Sequence, residues 1–217
     1  MEITWLGYSA FRTRTRDGFV INDPYSGKAL GIPSFPRATA DIGTISHNHS
    51  GHNNLDGVKG EPYVIRGPGE YEVKGMFIFG VPTYHDGKKG SLHGPNTVYV
   101  LDAEDLRVCH LGDLGHIPNQ TQAEDIGPID ILCVPVGDGH ALNATQAVEV
   151  INLLDPRIVI PMHYRYGGEE TPLDKLDKFF KAMGMEDKEA SHQEVLKVTK
   201  RDLPSEGAQV VVLEPKR

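Results

Sequence analysis

Three histidines crowd into one short run, Ser46-His47-Asn48-His49-Ser50-Gly51-His52, and two distant segments carry residues of matching chemistry: His110-Leu111-Gly112-Asp113 and Ile160-Pro161-Met162-His163-Tyr164. Neutral imidazole is the commonest protein ligand for divalent metals, and catalytic sites collect such ligands from separated loops. A chain that uses these residues together must bring widely spaced positions to one place. Residues two apart point the same way on an extended segment, so His47 and His49 can close on one ion. On a helix such residues do not face each other, which puts the pair on a strand end or loop. His52, three beyond His49, fits a chain that has just turned into a helix. The residue before it is Gly51, where an acidic side chain would have supplied one more ligand.

The 217 residues suffice for one domain, residues 1–217, with a substantial core. Apolar content of 39% and charged content of 24% are those of an ordinary globular protein. A net charge of −8 offers no basic footprint, so a nucleic-acid partner is not expected. No apolar run approaches a membrane span, and Met1-Glu2-Ile3-Thr4-Trp5 reads as the start of a strand rather than a signal peptide. Cys109 and Cys133 both lie in apolar runs, which favours reduced core thiols and a cytoplasmic location.

Short runs rich in Val, Ile, Phe and Tyr predict strands at Ile3 to Leu6, Phe19 to Asn22, Tyr63 to Arg66, Met76 to Pro82, Thr97 to Asp102, Arg107 to Leu111 and Ile129 to Val136. Ala144, Ala147, Val148, Ile151 and Leu154 recur at helical spacing, and Asp155-Pro156 ends that helix. A second helix is predicted with Thr171 as N-cap, Pro172 in its first position and Gly184 as terminator. Its apolar stripe is Leu173, Leu176, Phe179, Phe180 and Met183. Between the helices, Arg157 to Met162 reads as a buried strand. Final strands are expected at Val195 to Thr199 and Gln209 to Leu213.

Most candidate ligands fall where a strand ends: His85 after the Met76 strand, Asp113 after the Arg107 strand and His163 after the Arg157 strand. Ligands at the edge of a rigid sheet, carried on connections, are the usual build of a catalytic site. His110 reads as a buried outer partner of such ligands. His116 could enter the pocket or serve an ordinary surface loop. His140, in Gly137-Asp138-Gly139-His140, is the leading non-ligand pocket histidine, a proton donor or substrate contact. His93 and His192 are expected to be solvated. Asp23 is expected to orient the histidine loop through backbone hydrogen bonds, and Asp86 to partner a ligand or cap its own turn. Tyr164 and Arg165 could meet an anionic substrate; Lys88 and Lys89 could join them or remain solvated. Residues 26–36 and 86–95 are long enough to cover a pocket.

His47-x-His49-x-Gly51-His52 followed by His85, Asp113 and His163 resembles the metallo-β-lactamase superfamily, whose pattern is His-x-His-x-Asp-His, then His, Asp and His. Trp5-Leu6-Gly7-Tyr8-Ser9-Ala10-Phe11, Asn22-Asp23-Pro24, Gly112-Asp113 and the segment around His163 are similar to the branch containing ascorbate-6-phosphate lactonase and uncharacterised metal-dependent hydrolases. The resemblance implies an α/β fold, an αββα sandwich of two mixed β-sheets with outer helices and metals at one edge. It implies that His47, His49 and His85 hold one ion, His52 and His163 a second, and that Asp113 bridges them. Two such ions sit roughly 3.5–4 Å apart and share a water of lowered pKa. The chain departs from the pattern at Gly51, where the family has aspartate, and at Tyr8, where many relatives of this branch have histidine.

The function implied is a metal-dependent hydrolase using a metal-bound hydroxide on a small ester, lactone or phosphodiester, phosphorylated ones included, with Asp113 and His140 as catalytic candidates. Zinc is the expected ion, one or two per chain, with Mn, Fe and Ni also compatible with such ligands. The alternative is a non-hydrolytic metal- or ligand-binding protein on the same scaffold, its second metal site impaired by Gly51. A small-molecule substrate and association into a homo-oligomer complete the expectations.

Overall fold

The computed structural model describes residues 1–166 and 171–216. In chain order the strands are β1 (Glu2–Gly7), β2 (Ala10–Arg14), β3 (Phe19–Asn22), β4 (Ala38–Thr39), β5 (Ile42–Ile45), β6 (Val58–Lys59), β7 (Tyr63–Arg66) and β8 (Gly69–Val73). They continue as β9 (Met76–Tyr84), β10 (Pro95–Ala103), β11 (Leu106–His110), β12 (Ile131–Pro135), β13 (Ile158–Met162), β14 (Ser191–Gln193), β15 (Leu196–Lys197) and β16 (Gln209–Leu213). The α-helices among the described residues are α1 (Gly27–Leu30), α2 (Gln120–Ile126), α3 (Ala144–Leu154) and α4 (Leu176–Met183).

Two mixed sheets carry most of these strands. One runs β15-β1-β2-β3-β5-β7 and the other β14-β16-β13-β12-β11-β10-β9-β8, while β4 and β6 form a small separate pair. Strand periodicity divides the first sheet between two apolar clusters. Trp5, Phe11 and Val20 enter the main core with the second sheet. Their neighbours Leu6, Ala10 and Ile21 face the other way, onto Tyr25, Phe35 and Ala38. Strands β12 and β13 are buried along their whole length, which suits parallel strands covered on both faces. Helix α3 packs on β12 with Ala147, Val150, Ile151 and Leu154 buried. Cys109 and Cys133 are buried free thiols, and no described helix is long and apolar enough to cross a membrane.

Strand direction positions the site. β11, β12 and β13 run parallel to one another, and β9 is antiparallel to β10, itself antiparallel to β11. The carboxyl ends of β9, β11, β12 and β13 therefore share an edge and deliver residues 85, 113, 137–140 and 163 to it. In the facing sheet β3 and β5 run parallel, so Asp23 and residues 46–52 also follow carboxyl ends.

Several local expectations are corrected. Helix α4 starts at Leu176, after Lys175, rather than at Pro172 behind a Thr171 cap. Its would-be first turn is held elsewhere: Asp174 N donates to Gly137 O at 2.8 Å, Arg165 N donates to Asp174 O at 2.8 Å, and Leu173 is buried. The strand expected at Val195 to Thr199 shrinks to Leu196–Lys197. Helix α2 was not anticipated, although Asn119 and Gln122 form a reciprocal capping box that the Asn-x-x-Gln spacing announces. The same box, Asn143 with Gln146, starts α3 at the expected residue.

Ile131 is fully buried in β12, and Leu153 is 44% exposed on α3. Ile131→Ala should lower unfolding free energy by about 2–5 kcal/mol, through lost burial and the cavity left behind. Leu153→Ala should change it by less than about 0.5 kcal/mol, as a surface substitution to a strong helix former. Urea denaturation at fixed metal content checks both. Equal losses would contradict the placement of the core.

Candidate metal centre

The histidine run is fixed by one buried carboxylate. Asp23, fully buried and at φ 45°, follows β3. Its Oδ1 accepts from Ser46 N at 2.8 Å, and its Oδ2 accepts from Ser46 Oγ at 2.6 Å. The His52 ring nitrogen Nδ1 lies 2.7 Å from the same Oδ2. Because the Ser46 hydroxyl gives its proton to Asp23, it can only accept from His47 Nδ1, 2.9 Å away. His47 thus carries its proton on Nδ1 and turns an Nε2 lone pair inward, the tautomer a metal ligand needs, while His52 is oriented by its Nδ1–H donating to Asp23. Asp23 orients the loop as expected, but mainly through side chains rather than backbone alone. The expected helix at His52 is a single turn: His52 N and Asn53 N both donate to His49 O. Asn54 N then bonds Pro24 O at 2.8 Å, which draws the chain away before a second turn forms.

A second set of contacts places Asp113. The chain leaves β11 through Gly112 at φ 59°, where an added Cβ would lie 2.5 Å from Asn96 Oδ1 and 2.6 Å from Ser46 Cβ. Only glycine suits both that conformation and that space. Asn96 braces the turn: its Oδ1 accepts from Asp113 N at 3.1 Å, and its Nδ2 donates to Leu111 O at 3.0 Å and to Thr83 Oγ1 at 2.8 Å. His110 is satisfied at both nitrogens, by Ser9 O at 2.8 Å and by Gly112 N at 3.2 Å, and so supports the turn without reaching the centre.

Asp113 sits among four imidazoles. Its Oδ2 is 2.9 Å from His52 Nε2, 3.4 Å from His85 Nε2 and 3.8 Å from His47 Nε2, and its Oδ1 is 3.4 Å from His163 Nε2. His47, His49 and His85 offer ligand atoms within 4.8 Å of one another, as do His47, His52 and Asp113. The structure thus brings together all six residues singled out as ligands, with one difference. His163 approaches Asp113 but does not complete a compact triad with His52, whose ring centroid is 6.2 Å away.

Buried polar atoms at the centre lack hydrogen bonds. His47 Nε2, His52 Nε2, His85 Nδ1, Asp113 Oδ1 and both nitrogens of His163 have no aligned partner among the described residues. Leaving such groups unpaired is costly, and a cation among them would satisfy the inward lone pairs. Protonation states agree. Burial pushes His47 down to about 3 and His85 down to about 4, and it also lowers His163. Burial opposes ionisation of Asp113, yet the surrounding imidazoles, His163 and His52 foremost, hold its carboxyl well below the usual range. His52 is the exception: burial lowers it, but Asp113 and Asp23 on its two sides outweigh that and push it up to about 10. The neutral imidazoles of His47, His85 and His163 around an ionised carboxylate form a donor set suited to a divalent cation, and His52 would give up a proton to join it.

Gly51 lies against Tyr8. A Cβ at Gly51 would come 2.9 Å from Tyr8 Cε1 and 3.6 Å from Leu30 Cδ2. Gly51 does not have a left-handed φ, so its backbone does not demand glycine; the Tyr8 ring does. That ring packs at 4.5 Å from the ring of His163 and 5.4 Å from that of His52. Tyr8 O also accepts from His163 N at 3.1 Å and from Trp5 Nε1 at 3.0 Å. Burial, then the charges of Asp113 and Asp23, raise the phenol pKa, so it stays protonated.

Other expectations sort by position. Tyr164 is buried and stacks on Trp5 at 5.3 Å, which removes it as a substrate contact. His116 does not enter the centre: it accepts from Tyr84 N at 3.2 Å and contacts Ile117 O at 2.9 Å. His192 is exposed beside Asp187, and Lys88 and Lys89 are exposed. His93, expected to be solvated, instead packs at 4.3 Å on His140, with His140 exposed. Residues 26–36 border the site: Ser26 N donates to Ser50 O at 2.9 Å, and Phe35 anchors the segment against Tyr25. Ser46 and Asn96 were missed, since neither hydroxyl nor amide carries a ligand signature in sequence. The clues were only position: Ser46 abuts His47, and Asn96 opens the strand facing His85.

The protein-family description "Beta-lactamase superfamily domain" matches residues 2–163. A UPF0173 metal-dependent hydrolase of Methanopyrus kandleri is 25% identical over 83% of this chain and 90% of its own length. Another, from Pyrococcus abyssi, is 31% identical over 76% of this chain and 84% of its own. Among solved structures, a metallo-β-lactamase superfamily protein of Thermotoga maritima, a candidate Zn-dependent hydrolase, superposes with a TM-score of 0.77. It shares 35% identity, and the match covers 98% of this chain and 97% of that one. Motif, sheet topology, site geometry and these likenesses agree: the chain belongs to the metallo-β-lactamase superfamily.

Proposed function

We propose that this metal-dependent hydrolase acts on a small ester, lactone or phosphodiester at the His/Asp centre on the shared carboxyl edge of the two sheets. The observation that supports this best is the convergence of inward, unpartnered imidazole nitrogens on the ionised Asp113 carboxylate. In this reading His47, His49 and His85 hold the principal ion, and His52 and His163 with Asp113 form a weaker second half-site. A nitrogen-rich set with one carboxylate suits zinc best, with Mn, Fe and Ni as competitors. A divalent ion there supplies Lewis-acid activation of the scissile bond and of water.

The chain's own residues do the remaining work. Asp113 brings a compensating negative charge against four ligands, and Asp23 fixes two of them through Ser46 and directly. His49 is exposed while His47, His52, His85 and His163 are buried, so substrate must arrive on the His49 side. Tyr8 closes the opposite flank with an apolar ring and a protonated hydroxyl.

Metal analysis of protein purified without added metal is the first test. At least one equivalent should be present, with turnover of bis(para-nitrophenyl) phosphate or a simple lactone. His49→Ala and Asp113→Ala should each lower kcat/KM by about a hundredfold or more, the range seen when key electrostatic groups are removed. An absence of bound metal at micromolar free zinc would refute the proposal, and full metal uptake without turnover would select the non-hydrolytic alternative.

The number of ions depends on Tyr8 as well as Gly51. Gly51→Asp alone should overpack the Tyr8 ring, destabilise the fold by about 1–3 kcal/mol and gain no second equivalent of zinc. Combined with Tyr8→Ala, it should recover stability and raise zinc stoichiometry. Plasma emission analysis with thermal unfolding reads both, and a second equivalent in the single variant would show that Tyr8 imposes no limit.

A further inference from the structure

Two histidines outside the ligand set meet beside it. His93 lies on the connection between β9 and β10, and His140 on the connection between β12 and α3. Their ring centroids are 4.3 Å apart, and His93 is 5.4 Å from the ring of ligand candidate His85. Both loops are built to hold them. The carboxylate of Asp86, the residue after His85, accepts four backbone N–H groups: Lys88 at 2.7 Å, Gly90 at 2.9 Å, Leu92 at 3.0 Å and His93 at 2.8 Å. His85 N in turn donates to Gly94 O at 3.1 Å, closing the loop on itself. The placement of His93 is thereby tied to that of His85.

The His140 side carries strain. Asp138, Gly139 and His140 take consecutive left-handed conformations, with φ of 61°, 67° and 88°. Two of the three are not glycine, an arrangement that persists only where surrounding structure imposes it and that gathers at functional sites. The segment is held by Asp138 N donating to Leu142 O at 3.1 Å and by Asp174 N donating to Gly137 O at 2.8 Å. It presents an exposed imidazole, and the segment runs beside His163, whose Cε1 would lie 3.9 Å from a Cβ at Gly139. A charge on either His93 or His140 would be felt at His49, and one on His140 at His163 as well.

Neither ring makes a hydrogen bond among the described residues: the two rings pack on each other, and His93 also packs on His85. Nor does any described His, Cys, Asp or Glu complete a three-ligand set with them. Imidazole N–H groups left free beside such a centre are suited to an oxyanion. We infer that His93 and His140 form a paired clamp for the oxyanion of the substrate, a phosphate or carboxylate held next to the bond that is cleaved. This rests on the hydrolase reading and narrows it: the substrate is a small anionic ester, lactone or phosphodiester.

Inorganic phosphate tests the clamp directly, by isothermal titration into zinc-loaded and metal-free protein. His93→Ala and His140→Ala should each weaken phosphate binding by about tenfold, as expected for a lost charge-assisted hydrogen bond. Asn at either position, which keeps an N–H donor, should restore binding to within about threefold. Zinc content should not change. In turnover, KM should rise by a larger factor for anionic bis(para-nitrophenyl) phosphate than for neutral para-nitrophenyl acetate. Unaltered phosphate affinity, or equal effects on charged and neutral substrates, would overturn the clamp. Loss of an equivalent of zinc would overturn it in favour of a metal site at the pair. If the wild-type protein shows no turnover, the hydrolase reading fails while phosphate titration still decides whether the clamp exists.

Discussion

A buried carboxylate ringed by imidazoles needs positive charge beside it. Asp113 sits in that position, with four ring nitrogens between 2.9 and 3.8 Å away and few aligned hydrogen bonds to quench them. Burying unpaired polar groups costs several kcal/mol in principle, and this fold gathers them at the carboxyl edge of both sheets. Much of the surrounding architecture follows from that need. Gly112 admits the tight turn, Asn96 and His110 brace it, and Asp23 orients His47 and His52.

The two flanks of this centre differ in kind. On one flank, His47, His49 and His85 form a compact triad that opens toward solvent at His49. On the other, the Tyr8 ring leans against His52 and His163 and fills the space next to Gly51. Gly51 and Tyr8 therefore act as one steric unit: a side chain at residue 51 and a tyrosine ring at residue 8 compete for the same volume. This asymmetry is the reason we propose a principal ion and a weaker second half-site rather than two equal sites.

The candidate ligands were legible because their chemistry is rare and their positions follow strand ends. Spacing placed His47 and His49 on an extended segment, and the buried strand before His163 was visible as an apolar run. Tertiary effects account for what was misread. Thr171 and Pro172 look like a helix start, yet hydrogen bonds from Arg165 and Asp174 hold that stretch against neighbouring loops. Tyr164 looked like a substrate contact until its stacking on Trp5 placed it in the core. Ser46 and Asn96 act through hydrogen bonds between distant segments, which no local pattern encodes. The pairing of His93 with His140 was equally invisible, since it depends on how two loops from different strand pairs meet.

The most direct test is anomalous X-ray diffraction at the zinc edge from crystals grown without chelator. The account predicts a strong peak bounded by the ring nitrogens of His47, His49 and His85 beside Asp113, with weaker or absent density between His52 and His163. No anomalous peak at this centre in zinc-supplemented crystals, with ordered water satisfying the ring nitrogens instead, would contradict it.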